Sequence, residues 1–539
     1  MLLLDLPPEI LEGALFLLSN ADIKNLRLAC THLGQVARLR LNRVFLSLNP
    51  LDIQVLRNVA GHETYRHHIT ELIYDDTRFP TTRELDEDVY ETSSDSDNRA
   101  DGQVPTWYKR KYQEIREELA DHKGEWVERP HHILRKKQYE SRPSLRQSYH
   151  RYQKVASDQG KVRAAGGDVK AFEHALECFP NLRKITLTPV AHGVPFRPLY
   201  ETPMIRNLPY GFIYPVPCSW PGSESESGHD RIMPPWDDER EKRKWRGLRV
   251  VLRTLTERPH GITEFVIDVN QLRNGVSCSM FDTVSHNQEY EDLVSVLQSP
   301  GFSRLDLALS TGDQRNSLWP CYRSGLLRQA LGEAKDLRHV SLATGLIVPA
   351  SAYSPDQYDG GGEEHFFPLR TIFPLDQLRQ LRHFGLSRFI VKRNDIVNFL
   401  STMPPTLRSI ELSFLFFMKS GEGQYRELLH DMKDRLDWRE RPESQRPSIT
   451  LYLDSEPPAD GHCIDISVET EAFVYHGGEN PFIDGPNLGD RVYRSQGVGI
   501  KRDMFNPDND VPFAPRERLM DMGILEPDYF YRNGIQLRP

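Results

Sequence analysis

Apolar residues recur along this chain in two alternating periods, and the alternation predicts helices and strands in turn. From Leu4 to Leu41 the period is helical throughout. Pro7, Pro8 and Glu9 read as a first helical turn, where a missing N–H costs nothing and an acid suits the positive helix end. Ile10, Leu11, Ala14, Leu15, Leu17 and Leu18 then make this helix apolar around most of its circumference. Ser19 and Asp22 fit a capping box that opens a second helix with Ile23, Leu26, Leu28 and Ala29. Leu33, Val36, Ala37 and Leu41 fit a third. Three short helices are too small to bury all of these side chains within themselves. Each large one left in water forgoes roughly 1.5–3 kcal/mol, so the surplus must be covered by the following chain or by a partner.

After this the pattern becomes a helix followed by a short strand, many times over. Leu51 to Val59 is amphipathic and leads to a strand at Ile69–Tyr74. Helical runs around Phe172, Leu248, Leu293, Leu326 and Phe399 lead to Leu182-x-x-Ile185-x-Leu187, Ile262-x-x-Phe265-x-Ile267, Phe302-x-x-Leu305-x-Leu307, Leu337-x-x-Val340-x-Leu342 and Leu407-x-x-Ile410-x-Leu412. Leu381-x-x-Phe384-x-Leu386 has a poorer helix before it, and Ile449-x-Leu451-x-Leu453 closes the series. With 38% apolar residues, three fixed positions match by accident about thirty times in such a chain, so the strand pattern gains its weight from the helix before it. Four units also open alike, at Leu182-Arg183, Leu337-Arg338, Leu381-Arg382 and Leu407-Arg408. A unit with one apolar face on its strand and one on its helix must stack on a neighbour to bury both. The expectation is an α/β fold, either a stack of such units or the same elements wound in another order.

At the N-terminus, Leu6-Pro7, Glu9-Ile10, Phe16-Leu17-Leu18, Asp22-Ile23, Leu26-Arg27 and Cys30 with Leu33 resemble an F-box, the helical module that binds the Skp-type adaptor of cullin-based ubiquitin ligases. The repeated units resemble an irregular leucine-rich repeat, with parallel strands inside and helices outside. Together they resemble the fungal-type F-box proteins that carry such repeats. The resemblance implies adaptor binding through Leu6, Pro7, Ile10, Leu11, Leu26, Leu28 and Leu33, with a cullin reached through the adaptor. It implies a substrate-recognition subunit of an SCF-type ligase, not an enzyme itself, whose repeats hold an unidentified target protein. An F-box scaffold without ligase output is the alternative.

The expected organisation is a helical module at 1–45, a first helix–strand unit at 46–79 and an insertion at 80–167. The stacked units follow at 168–455, with a proline-rich surface loop at 189–245, and an extended tail at 456–539 caps the last unit. The insertion opens acidic, from Glu84 to Asp101, with too few apolar residues to order it. It then turns basic and aromatic with Trp107, Tyr112, Tyr139, Tyr149 and Tyr152 among lysines and arginines, a composition that can also hold phosphates and stack bases. Nucleic-acid binding through this tract is therefore a rival reading.

Composition narrows the function classes further. A net charge of −9 gives no overall bias toward nucleic acid or membrane surfaces. Six scattered cysteines without a CxxC pair suit a reducing compartment, so a cytoplasmic or nuclear location is expected. Met1 to Leu4 is apolar but lacks a basic flank, unlike a signal peptide. No phosphate-cradling glycine loop, nucleophile elbow or metal-ligand spacing is present, and no cofactor is expected. His67-His68 and His131-His132 read as exposed polar residues, and Asp75-Asp76 reads as an ordinary carboxylate-rich loop. If the strands stack in register, the residues between their apolar positions share one face. That places Glu264, Arg304, Asp306, His339, His383, Ser409 and Glu411 together as the target-binding candidates, with the two histidines about 4.8 Å apart.

Overall fold

A computed structural model describes residues 6–80, 104–121, 130–217, 219–222, 233–282, 287–315, 317–346, 365–417, 425–454, 461–482 and 499–512. The acidic stretch of the insertion lies outside the described residues. The chain is an α/β protein built on one large sheet, with helices packed along it.

The first three helices are α1 (Pro8–Phe16), α2 (Asn20–Ala29) and α3 (Thr31–Val36). Pro7 caps α1, and its carbonyl accepts from the amides of Ile10 and Leu11. Ser19 and Asp22 form a full capping box, so the hydroxyl and carboxylate satisfy amides that the first turn of α2 leaves unpaired. Leu11, Leu15, Ile23 and Ala37 form a small core of their own. Asn20 fastens the chain after α3 to α2 through both the amide and the carbonyl of Arg40.

The sheet then adds strands in chain order. Its path is β1 (Arg43–Ser47), β2 (Glu71–Asp75), β3 (Lys184–Thr188), β4 (Glu264–Ile267), β6 (Arg304–Ser310), β7 (His339–Thr344), β8 (His383–Ser387), β9 (Ser409–Ser413) and β10 (Ser448–Thr450). The short β5 (Val276–Ser277) pairs with β6 beside this path. All of these pairings are parallel. Helices α4 (Pro50–Ala60), α8 (Gly167–Cys178), α9 (Arg246–Glu257), α10 (Gln288–Leu297), α11 (Leu326–Glu333), α12 (Arg393–Leu400) and α13 (Tyr425–Arg435) intervene.

Register explains the apolar pattern. One buried row crosses the sheet from Val44 through Leu72, Ile185, Phe265, Leu305, Val340, Phe384 and Ile410 to Ile449. These side chains belong to a single core with Phe172, Leu252, Val296, Leu331 and Leu400 from the helices. A period of two on the strand and of 3.6 on the helix point both faces into that core.

Four expectations change. The first unit begins earlier than residue 46, because β1 starts at Arg43 and pairs with β2. The basic aromatic tract folds as α5 (Thr106–Asp121), α6 (Pro130–Glu140) and α7 (Leu145–Ala164). Tyr108, Tyr112 and Tyr152 lie buried in a second core there, with Phe79, Met204 and Phe212. Their rings pack against one another and are unavailable to stack on bases. The segment 189–245 is no bare surface loop either, since Trp220, Trp236 and Trp245 are buried in the main core. Each indole N–H donates inward, to Asp76, Glu289 and the Gly275 carbonyl respectively. Lastly, the tail is not merely extended. β11 (Tyr452–Asp454), β12 (His462–Asp465), β13 (Ile500–Asp503) and β14 (Val511–Pro512) form a separate antiparallel sheet. Helix α14 (Ser467–His476) buries Phe473 and Val474 in the main core and leaves Val468 exposed. Gly461 has a positive φ, and a Cβ there would overlap the Phe505 ring.

Asp75 and Asp76 are not exposed. Both are buried where β2 ends, Asp75 near Asp52 and Asp76 near Arg78 and Arg246. Asp75 accepts from the Thr77 amide at 2.8 Å. Burial, reinforced by the nearby Asp52 and Asp76, pushes its carboxyl up to about 8. The folded state therefore holds a proton that the unfolded chain gives up near pH 4. Stability from this group falls as pH rises from about 4 to about 8. Asp75→Asn keeps the acceptor and removes the charge. The melting-temperature difference between variant and wild type should widen in the variant's favour by about 2 °C or more between pH 5 and pH 8. A pH-independent difference in a melting series would show that Asp75 stays ionised.

Candidate protein-binding surfaces

Two surfaces are set apart from the core. The first is the three-helix unit. Among the described residues seven large apolar side chains stand exposed, and Ile10, Phe16, Leu17 and Leu28 are four of them, all on α1, α2 or the turn between. Leu17 and Leu28 are each 85% exposed. Of the residues predicted to bind the adaptor, Ile10, Pro7 and Leu28 are exposed, and Leu6 and Leu26 are half-buried. Leu11 and Leu33 are corrected: both are buried and have no surface to offer a partner. Helical period explains why, since Leu11 shares a face with Leu15 and Ile10 does not. Phe16 and Leu17 were missed as surface residues, although their apolar excess was visible.

The second surface is the polar face of the sheet. The residues between the buried row come into line across the strands: Lys184 with Glu264, Glu264 with Arg304, Arg304 with His339, His339 with His383, and His383 with Ser409. Two residues on, Asp306 pairs with Ser341, Ser341 with Gly385, and Gly385 with Glu411. All of the predicted target-binding residues thus share one face.

Local bonds neutralise most of that face. Lys184 Nζ lies 2.9 Å from Glu71 Oε1, and Glu71 also accepts from the Thr186 hydroxyl at 2.6 Å. Arg304 donates to Asp306 from Nε at 3.1 Å and from Nη2 at 2.5 Å. His339 Nε2 lies 2.7 Å from the other Asp306 oxygen. Burial alone would raise the Asp306 carboxyl, but His339 and Arg304 overcome it and hold Asp306 below the ordinary carboxylate value. The His339 and His383 rings stack with centroids 4.0 Å apart and planes 11° from parallel. His383 Nδ1 hydrogen-bonds the Ser409 hydroxyl at 2.7 Å. Burial first, and His339 second, push His383 down to about 4, so its ring is neutral at pH 7. Burial raises Glu411, which has no cation beside it among the described residues. Gly385 makes room for this packing, because a Cβ there would sit 2.5 Å from the Ser341 hydroxyl and 3.3 Å from His383 Nε2. At β1 the same face is partly covered, since Phe45 meets the Tyr200 ring edge-on.

No protein-family model matches the chain, and no curated protein does. The described residues hold no group of three or more His, Cys, Asp or Glu side chains placed to bind a metal ion. No helix among them is long and apolar enough to cross a membrane.

Proposed function

We propose that this chain is the substrate-recognition subunit of an SCF-type ubiquitin ligase. In this reading α1 to α3 are an F-box that docks on a Skp-type adaptor and, through it, a cullin. The stacked units are an irregular leucine-rich-repeat-like domain whose polar sheet face holds a target protein. The chain supplies proximity and orientation, and other subunits carry out the transfer. The observation that carries the proposal is the apolar patch of Ile10, Leu17 and Leu28 on a helical unit that already has its own core. Such a patch on a folded unit marks a protein interface.

The test is co-expression of the full chain with a Skp-type adaptor and a cullin, followed by affinity purification. Adaptor and cullin in stoichiometric amounts are the expected result. Adaptor without cullin favours the scaffold reading, and no adaptor overturns the proposal. The nucleic-acid reading finds no support in a tract whose Tyr108, Tyr112 and Tyr152 are core residues.

A further inference from the structure

The four leucine–arginine openings look alike in sequence, and the fold divides them into two kinds. Each arginine sits one position before its strand. Backbone bonds link these positions across the sheet: the Arg382 amide donates to the Arg338 carbonyl at 2.7 Å, and the Arg408 amide to the Arg382 carbonyl at 2.7 Å. Arg338, Arg382 and Arg408 are thus neighbours on three successive strands, about 4.8 Å apart at the backbone.

Two of the four serve their own turns. Arg183 donates from Nη1 to the carbonyls of Pro180 at 3.3 Å and Leu182 at 3.0 Å. Arg408 does the same to Pro405 at 2.8 Å and Leu407 at 2.7 Å. The guanidinium groups of Arg338 and Arg382 have neither an acid nor a carbonyl partner among the described residues. Both residues are exposed. Of the acids nearest along the chain, Glu333 accepts from Gln298 at 3.1 Å, Asp336 accepts from the Gly301 amide at 3.1 Å, and Asp376 pairs with Arg328 at 2.7 Å. On the neighbouring strand, Asp306 is held by Arg304 and His339. On a chain with net charge −9, Arg338 and Arg382 set two exposed cations side by side where β7 and β8 begin.

We infer that Arg338 and Arg382 form an anchor for an acidic segment of a partner protein, one that presents carboxylates on alternate residues. A guanidinium offers a planar fork of donors that matches a carboxylate, and two forks side by side hold two of them. In an extended segment alternate side chains lie about 6.8 Å apart, within the spread of two long arginines on adjacent strands. This inference rests on the reading of the sheet face as the target surface. Adaptor binding, which uses α1 and α2, reports separately on the rest of that reading.

The test uses full-length protein and three labelled peptides, read by fluorescence anisotropy at low and high salt. One peptide alternates glutamate with serine, the second replaces each glutamate with glutamine, and the third carries phosphoserine without glutamate. Wild type should bind the glutamate peptide at least about tenfold more tightly than the glutamine peptide, with the preference weakened by salt. Arg338→Glu with Arg382→Glu should abolish that preference and leave the melting temperature and adaptor binding unchanged. Arg183→Ala with Arg408→Ala should lower the melting temperature and retain the preference. Equal binding of the glutamate and glutamine peptides, or a preference that survives the double charge reversal, would overturn the inference. Binding of the phosphoserine peptide alone would overturn the assignment to carboxylates.

Discussion

Asp168→Ala is expected to destabilise the protein by about 3–5 kcal/mol, the usual cost of stranding one member of a buried ion pair. Asp168 is fully buried at the start of α8, and its two oxygens accept from Arg246 at 2.6 and 3.0 Å. The Tyr74 hydroxyl donates to the same carboxylate, so the network joins β2, α8 and α9. Removing the carboxylate leaves the Arg246 guanidinium and a buried phenol without their acceptor. Urea unfolding at pH 7 measures the loss through the midpoint, provided that the slope is unchanged. A loss below about 1 kcal/mol would mean that water reaches Arg246 and replaces the partner. Asp168→Asn should recover part of the stability, because it keeps an acceptor for Tyr74.

Ile10→Asp together with Leu28→Asp should abolish adaptor binding and leave the melting temperature within a degree or two of wild type. Both side chains are exposed, so placing a carboxylate there costs the folded state little. At the centre of an interface the same change leaves buried, unpaired charges, and truncation of a single anchor there already costs about 2–4 kcal/mol. Leu11→Asp is the contrasting variant. Because Leu11 lies inside the small core of the helical unit, it should unfold that unit and lose binding indirectly. Titration calorimetry with purified adaptor, alongside melting curves, separates the two cases. Undiminished binding by the double variant would move the interface away from this patch.

Much of the fold was legible because burial imposes a period. Leu182, Ile185 and Leu187, or Leu337, Val340 and Leu342, are spaced as they are because the strand faces a core on one side only. The helix ends were legible where capping chemistry is local, as at Ser19 and Asp22. Elements held mainly by distant contacts were not. β1 has only Val44 and Leu46 to mark its buried face, and its pairing with β2 decides its state. Helix α14 has no clear apolar stripe, and contacts from Phe473 and Val474 to the main core fix it. The buried state of Asp75 and Asp76 was equally invisible, because the burial comes from loops far away in sequence, with Trp220 closing over Asp76.

Sequence by itself determined the α/β class, the helical unit at the N-terminus, and the sharing of one sheet face by Arg304, His339 and His383. Those properties follow from side-chain period and from turn chemistry, which act over a few residues. Tertiary structure alone decided which members of a repeated pattern are occupied and which are free. Arg183 and Arg408 fold back on their own carbonyls while Arg338 and Arg382 do not, although all four follow a leucine at the same place. It also decided that Ile10 faces outward while Leu11 faces in, and that the aromatic residues of the insertion form a core. Each of these turns on which groups far apart in the chain come within a hydrogen bond or a van der Waals contact, which only the folded arrangement of the strands and helices fixes.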